Sequence, residues 1–138
     1  MSDKDARDTA NPGSKGGTHR ATILLVDDDP DVREVTAILL NDLGYAVIEA
    51  ENGQAVLAQL ESGTTADLLM VDFAMPGMSG LEVATEARAR CPALKVLFVT
   101  GYADAPRVSN LLLGEAVIKK PYSTTNLQTA INQALAKP

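Results

Sequence analysis

Five apolar runs alternate with amphipathic segments from Ala21 onward, and this alternation restricts the fold more than any other feature. The first and third runs are continuously apolar, as expected for strands that are covered on both faces. Strands that alternate with helices through short connections pair in parallel, with right-handed crossovers and helices on both faces. The pattern therefore predicts an α/β fold with a doubly wound, five-stranded parallel sheet and five helices. The predicted strands are residues 23–26, 45–50, 68–71, 96–99 and 116–118.

End signals locate the first helix more closely than the others. Pro30 occupies a favoured first-turn position, Asp29 precedes it as a helix N-cap, and Gly44 provides the stop. Apolar residues then recur at helical spacing, which supports the helix. These residues are Val32, Val35, Leu39 and Leu43.

The first twenty residues differ in character from the rest of the chain. Residues 1–20 are polar and contain almost nothing apolar, which predicts a disordered leader before one domain at 21–138. This segment lacks the apolar centre of a secretory signal, and no run reaches the roughly 18 residues of a membrane span. The single cysteine, Cys91, cannot form an internal disulfide and is expected to be a reduced, partly buried thiol. We therefore expect a cytoplasmic protein without a membrane partner.

Charge argues against a nucleic-acid-binding protein, and histidine content excludes sites that depend on histidine. The net charge of −6 argues against a nucleic-acid partner, because such binding depends on lysine and arginine neutralising phosphates. The single histidine, His19, lies in the polar leader, which excludes histidine-based catalysis and a multi-histidine metal site.

Polar residues stand at the ends of four predicted strands, and these ends form one edge of a parallel sheet, where ligands bind. Two carboxylates about 4 Å apart repel by about 4 kcal/mol at an effective dielectric of about 20, so clustered acids require cations. Lys120 supplies one positive charge. A Mg²⁺ ion, which binds carboxylate and phosphate oxygens, would supply the rest. Since an aspartate can also accept a phosphoryl group, the cluster favours Mg²⁺-dependent phosphoryl transfer. The residues are Asp27, Asp28 and Asp29 after the first strand, Asp72 after the third, Thr100 at the fourth and Lys120-Pro121 at the fifth.

Four motifs at these positions resemble the receiver domains of two-component response regulators. They are ILLVDDDP (23–30), VDFAMPGMSG (71–80), VTGY (99–102) and KKPY (119–122), and the resemblance covers residues 21–136. It implies the flavodoxin-like strand order 2-1-3-4-5. It also implies phosphorylation by a sensor histidine kinase or a histidine phosphotransfer protein. The Gly-Tyr pair in VTGY resembles receivers of hybrid histidine kinases more than those of transcription factors.

The resemblance implies a role for each residue of the cluster. Asp72 would be the phosphoacceptor, with Lys120 and Thr100 contacting the phosphoryl group. Lys119 points to the opposite face from its neighbour, so at most one of the two lysines lies in the site. Thr100 also has an ordinary structural interpretation as a strand-end residue. The implied Mg²⁺ ligands are Asp27, Asp28, Asp72 and the backbone carbonyl of Ala74, and the implied switch residues are Thr100, Tyr102 and Pro121, the last resembling the cis-proline of the family.

The sequence departs from the family pattern at three places, and the departures at Val117 and Ala74 keep a second hypothesis open. Val117 stands where receivers often have an aromatic residue, and Ala74 places a small apolar side chain where dephosphorylation rate is set. The interval from Thr100 to Lys120 is slightly short, which predicts an abbreviated or irregular fourth helix. The alternative function is accordingly a receiver-fold interaction module that works independently of phosphorylation.

Two further expectations concern activity and surfaces. An aspartyl-nucleophile phosphatase would place its nucleophile after the first strand and carry an insertion that covers the substrate, and neither feature is seen. We therefore expect the protein to catalyse only its own phosphorylation and dephosphorylation. The chain ends after the last predicted helix, which predicts output through protein contacts or phosphorelay rather than an attached output domain. For residues 111–113, all leucine, we expect two buried and one exposed. The alternative is a docking or dimer surface formed by the fourth helix, fifth strand and fifth helix.

Overall fold

The structure, a computed structural model, describes residues 21–101 and 111–137. The predicted leader, Tyr102 and most of the predicted fourth helix lie outside these ranges. The strands are β1 (Thr22–Val26), β2 (Ala46–Ala50), β3 (Leu68–Asp72), β4 (Lys95–Thr100) and β5 (Ala116–Lys119). The helices within the described ranges are α1 (Pro30–Asp42), α2 (Gly53–Glu61), α3 (Gly80–Arg90) and α4 (Thr124–Ala136). Helix α4 corresponds to the predicted fifth helix. Each strand agrees with its predicted bounds to within one residue at either end.

All five strands pair in parallel, in the order β2-β1-β3-β4-β5, which confirms the predicted doubly wound sheet. The order reverses between β1 and β3, so the carboxyl ends of these two central strands are neighbours. None of the helices in the described part of the chain is both long and apolar enough to cross a membrane.

The core consists of two layers, one on each face of the sheet. Alternate residues of β1 divide between them: Ile23 and Leu25 pack with α1 and α4, whereas Leu24 and Val26 pack with α2 and α3. This alternation follows from the two-residue period of a strand. Because both faces are covered, every residue of β3 is buried, which explains its continuous apolar run.

Helix α1 buries one face against the core and leaves two aliphatic side chains exposed. Its buried residues are Thr36, Ala37 and Leu40, whereas Val35 and Ile38 are 58% and 54% exposed. Of the four apolar residues that recur at helical spacing, Val35 is exposed and the other three are half-buried. The spacing of these four residues therefore marks the helix but not its buried face.

The leucines at 111–113 also differ from expectation. Only Leu112 is buried, while Leu111 and Leu113 are 48% and 85% exposed. Residues 112–114 form a turn that ends at Gly114, which has a positive φ of 84°, so the chain does not present a continuous helical face here. The docking or dimer surface at this position stays a prediction. Cys91 follows α3 as a half-buried free thiol, in agreement with expectation.

A bidentate ion pair joins the segment before β5 to α3. The guanidinium of Arg88 donates to Glu115 from Nη2 at 2.7 Å and from Nη1 at 3.1 Å. These hydrogen bonds, with the charge of Arg88, hold the pKa of Glu115 below its ordinary value. A carboxyl group whose pKa is lowered by folding adds stability above its unfolded pKa and loses it as the pH falls through the lowered value.

We expect Arg88→Met to lower the free energy of unfolding at neutral pH by at most about 1 kcal/mol, because the pair is partly exposed. The difference from wild type should shrink in acid, once Glu115 is protonated in both proteins. Urea unfolding at several pH values down to about pH 3 measures this. A difference that stayed constant across the series would show that Arg88 acts through packing rather than through the ion pair.

Candidate functional site

The carboxyl ends of four strands bring the predicted site residues to one edge of the sheet. Asp27 follows β1, Asp72 is the last residue of β3, Thr100 ends β4, and Lys120 follows β5. Two main-chain hydrogen bonds bridge these strand ends. Phe73 N donates to the carbonyl of Val99, and Lys120 N donates to the carbonyl of Thr100, both at 2.8 Å. The ends of β3, β4 and β5 are therefore joined as one rim of backbone beneath the site.

Three carboxylates converge on this rim. One oxygen each of Asp27, Asp28 and Asp72 lies within 4.8 Å of the other two. Asp27 and Asp72 are buried, at 5% and 7% exposure, whereas Asp28 is exposed. Oxygens that converge this closely, with one open side, suit a hard dication that keeps several waters, as Mg²⁺ does. The donor set thus fits the predicted metal.

Asp27 and Asp29 share the turn between β1 and α1 but act differently. The side chain of Asp29 accepts hydrogen bonds from Asp31 N at 3.0 Å and Val32 N at 3.3 Å, which confirms it as the helix N-cap. Asp27 Oδ1 accepts from Asp29 N at 2.9 Å, while its Oδ2 lies 3.6 Å from Lys120 Nζ. One oxygen of Asp27 therefore holds the turn and the other faces the site.

Lys120 and Asp72 form the central ion pair, in which Lys120 Nζ donates to Asp72 Oδ2 at 3.1 Å. Burial raises the pKa of Asp72 above its ordinary value, although the hydrogen bond and charge of Lys120 partly oppose this. Burial lowers the pKa of Lys120, but its hydrogen bond with Asp72 and the charges of Asp72 and Asp27 raise it by more. Lys120 is therefore an ammonium ion at neutral pH.

The raised pKa of Asp72 predicts a stabilising substitution. In the metal-free protein the charged carboxylate is disfavoured by the fold, so stability falls as the pH rises through the interval between the unfolded and the raised folded pKa. We expect Asp72→Asn to raise the free energy of unfolding at pH 7 by about 1 kcal/mol and to lose this advantage in acid. Urea unfolding with a chelator present measures the change. A less stable variant at pH 7 would show that the ion pair with Lys120 outweighs the cost of burial.

The remaining predicted residues lie around this centre. Thr100 is 2% exposed, one strand away from Asp72. The bond between Lys120 and Pro121 is cis, as the resemblance implied. Ala74 N donates to Asp72 Oδ1 at 3.3 Å, which places this residue at the site, and the metal role of its carbonyl stays a prediction. Lys119 is exposed, which supports the choice of its neighbour.

Comparison with known proteins agrees with this geometry. The sequence matches the response regulator receiver domain over residues 23–132. The chain belongs to this family. The response regulator receiver protein CpdR of Brucella abortus is 34% identical to it over 121 residues, covering 82% of this chain and 95% of CpdR. A receiver domain protein from Clostridium thermocellum superposes with a TM-score of 0.74 at 26% identity, covering 83% of this chain and 94% of that one.

A third relative shows the same domain within a longer protein. A cyclic di-GMP phosphodiesterase of Thermotoga maritima is 38% identical over 116 residues, which are 83% of this chain but only 31% of the relative. The chain therefore spans about a third of that protein. Receiver domains belong to two-component systems, interact with sensor kinases and phosphotransfer partners, and generally bind Mg²⁺ through an acidic pocket. In this receiver, carboxylate oxygens of Asp27, Asp28 and Asp72 lie close enough together to hold a metal ion.

Two contacts of this receiver were not found from the sequence. Tyr122 and Thr36 share a hydrogen bond of 2.7 Å between their hydroxyls, which fastens the turn after Lys120 to α1. Arg33 Nη1 donates to the backbone carbonyl of Asp27 at 2.6 Å. The spacing of Arg33 after the acidic run was visible, but nothing in it indicated a contact with the backbone.

Proposed function

We propose that this receiver accepts a phosphoryl group on Asp72 in a reaction that requires Mg²⁺. The convergence of three carboxylates and one ammonium group at a single edge of the sheet carries the proposal. A bound Mg²⁺, held by Asp27, Asp28 and Asp72, would offset the negative charge of the acids and of the incoming phosphoryl oxygens. The Ala74 carbonyl is the fourth protein ligand that we propose.

Three side chains of the site have separate proposed roles in the phosphoryl transfer. A carboxylate oxygen of Asp72 attacks the phosphorus atom, and the bond between phosphorus and the donor breaks. Lys120, already 3.1 Å from Asp72 Oδ2, can turn its ammonium group toward the transferred phosphoryl oxygens. The hydroxyl of Thr100 is the group that we propose to bind a further phosphoryl oxygen and so to report the modification.

A protein donor is supported by an apolar surface beside the site. Val35 is 58% exposed on α1, and it lines a concave region of about 400 Å³ with residues of α1 and of the turn after β5. Lys120, Pro121 and Tyr122 line the same region, so the surface is continuous with the phosphoacceptor site. We propose that the donor is a sensor histidine kinase or a histidine phosphotransfer protein, which docks here to present its phosphohistidine to Asp72.

Intact-mass spectrometry after incubation with acetyl phosphate tests the proposal. With Mg²⁺ present we expect one phosphoryl adduct per chain, and with a chelator in place of Mg²⁺ we expect none. Adduct formation that did not depend on Mg²⁺ would contradict the assigned role of the acid cluster. Multiple turnover of a phosphate ester would contradict the proposal that the protein catalyses only its own phosphorylation and dephosphorylation.

The alternative, a module that works independently of phosphorylation, has one observation in its favour. Val117 is half-buried and packs against the core layer formed with α2 and α3, so an aliphatic side chain stands where receivers often have an aromatic one. A folded protein that gave no adduct with acetyl phosphate, and whose melting temperature did not change with beryllofluoride and Mg²⁺, would favour this alternative.

A further inference from the structure

Arg33 joins three elements around the acid cluster. Its Nη1 donates to the carbonyl of Asp27 at 2.6 Å, and its Nε donates to Glu49 Oε1 on β2 at 3.3 Å. Its backbone N–H donates to the carbonyl of Asp29 at 2.9 Å, which fixes the residue in the first turn of α1. The side chain is only 17% exposed. The guanidinium is thus held between the end of β1 and β2.

The carbonyl that Arg33 binds is well placed to control the metal ligands. The last paired residue of β1 is Val26, opposite Ala50 and Val71, so Asp27 lies one residue beyond the ladder. Its carbonyl belongs to the peptide group that links Asp27 to Asp28. A change in ψ of Asp27 or in φ of Asp28 moves the two carboxylates relative to each other, because this planar peptide links their Cα atoms.

We propose that Arg33 is a positioning residue for the metal site, which holds the Asp27–Asp28 peptide so that both carboxylates meet Asp72. This inference rests on the proposed Mg²⁺ role of the acid cluster. Arginine suits the task because its planar fork can bind a carbonyl and a carboxylate at the same time. Groups that orient metal ligands without touching the metal contribute about 10-fold or more to metal affinity.

The positive charge of Arg33 and its hydrogen bond to Asp27 predict opposite effects on Mg²⁺ affinity. A substitution that removes both therefore shows which of the two dominates. A cation near the site repels a dication, so removal of the charge alone would strengthen Mg²⁺ binding. Glu49 offsets part of this charge through its contact with Nε. If the hydrogen bond to Asp27 dominates, Arg33→Met weakens Mg²⁺ binding. If the charge dominates, the same substitution strengthens it.

The experiment measures the melting temperature of the full chain against MgCl₂ concentration at constant ionic strength, from which a Kd for Mg²⁺ follows. Arg33→Met is compared with wild type and with Arg88→Met. Arg88 is a matched control, because it also pairs with a glutamate but lies on α3, away from the site. We expect about a 10-fold larger Kd for Arg33→Met and an unchanged Kd for Arg88→Met.

Each outcome decides the inference. A wild-type Kd, or a smaller one, in folded Arg33→Met overturns it while leaving the proposed function intact. A wild-type protein whose melting temperature does not respond to Mg²⁺ overturns both the inference and the Mg²⁺ role. If Arg33→Met does not fold, Arg33→Lys replaces it: a single ammonium group cannot hold both partners, so we expect Mg²⁺ binding at least about threefold weaker. A wild-type Kd in Arg33→Lys overturns the inference.

Discussion

Asp72→Asn should take up no phosphoryl group from acetyl phosphate and Mg²⁺, under conditions in which wild type gains one per chain. The carboxamide has nearly the size of the carboxylate and can still accept the hydrogen bond from Ala74 N, so the site keeps its shape. It lacks the anionic oxygen that attacks phosphorus, and it removes one of the three converging carboxylates. Intact-mass spectrometry measures the loss directly.

Asp67→Asn is the matched control for this substitution. Asp67 is exposed and precedes β3 at the opposite end of the strand, where its Oδ2 accepts a hydrogen bond from Thr22 N at 2.8 Å. An asparagine oxygen can accept the same bond, so we expect full adduct formation. If Asp72→Asn kept a wild-type adduct, the phosphoacceptor would be another residue and the proposed function would have to be reassigned.

Gly80→Ala should lower the free energy of unfolding by about 3 kcal/mol and reduce adduct formation with it. A Cβ at Gly80 would lie 2.3 Å from the carbonyl oxygen of Asp72 and 2.8 Å from Phe73 Cα. Both neighbours are backbone atoms, which cannot rotate away as a flexible side chain could. Gly80 N also donates to the carbonyl of Phe73 at 2.9 Å, so the start of α3 rests directly on the end of β3. Relief of the clash must therefore displace either the start of α3 or the end of β3, which carries the residue that we propose as phosphoacceptor.

Gly77→Ala separates this close approach from ordinary backbone strain. Gly77 lies in the loop between β3 and α3 with a φ of 80°, but a Cβ there would meet nothing within 4 Å. We expect only the cost of a left-handed conformation, about 1 kcal/mol, and adduct formation near the wild-type level. Urea unfolding and intact-mass spectrometry compare the two variants. Equal losses would show that the contact between Gly80 and Asp72 has no special cost.

The sequence predicted the sheet and the location of the site because both depend on local patterns. Continuous apolar runs marked the strands, and the parallel topology then placed Asp27, Asp72, Thr100 and Lys120 at one edge. The helix contacts were harder to predict, since they depend on how closely each helix can approach the sheet. On α1, the small residue Ala37 is buried and the larger Val35 is exposed, and no spacing rule distinguishes these two faces.

The contacts that support the site were beyond sequence reasoning for a different reason. Arg33 binds a backbone carbonyl, and every residue has one, so nothing in the sequence indicates which carbonyl is left without a strand partner. The bond between Thr36 and Tyr122 joins residues far apart in the chain, and either hydroxyl could have bonded to water instead. Such pairings depend on the final placement of helices relative to the sheet.

The rim of main-chain hydrogen bonds beneath the site has a consequence for timing. Phe73 is bonded to Val99 and Lys120 to Thr100, so the strand ends cannot separate without breaking these bonds. A change at Asp72 can then reach Thr100 and Lys120 by movement of side chains, without separation of the strands. If Asp72 is phosphorylated as we propose, we expect the duration of the signal to follow the lifetime of the aspartyl phosphate, because the sheet need not rearrange at its start or its end.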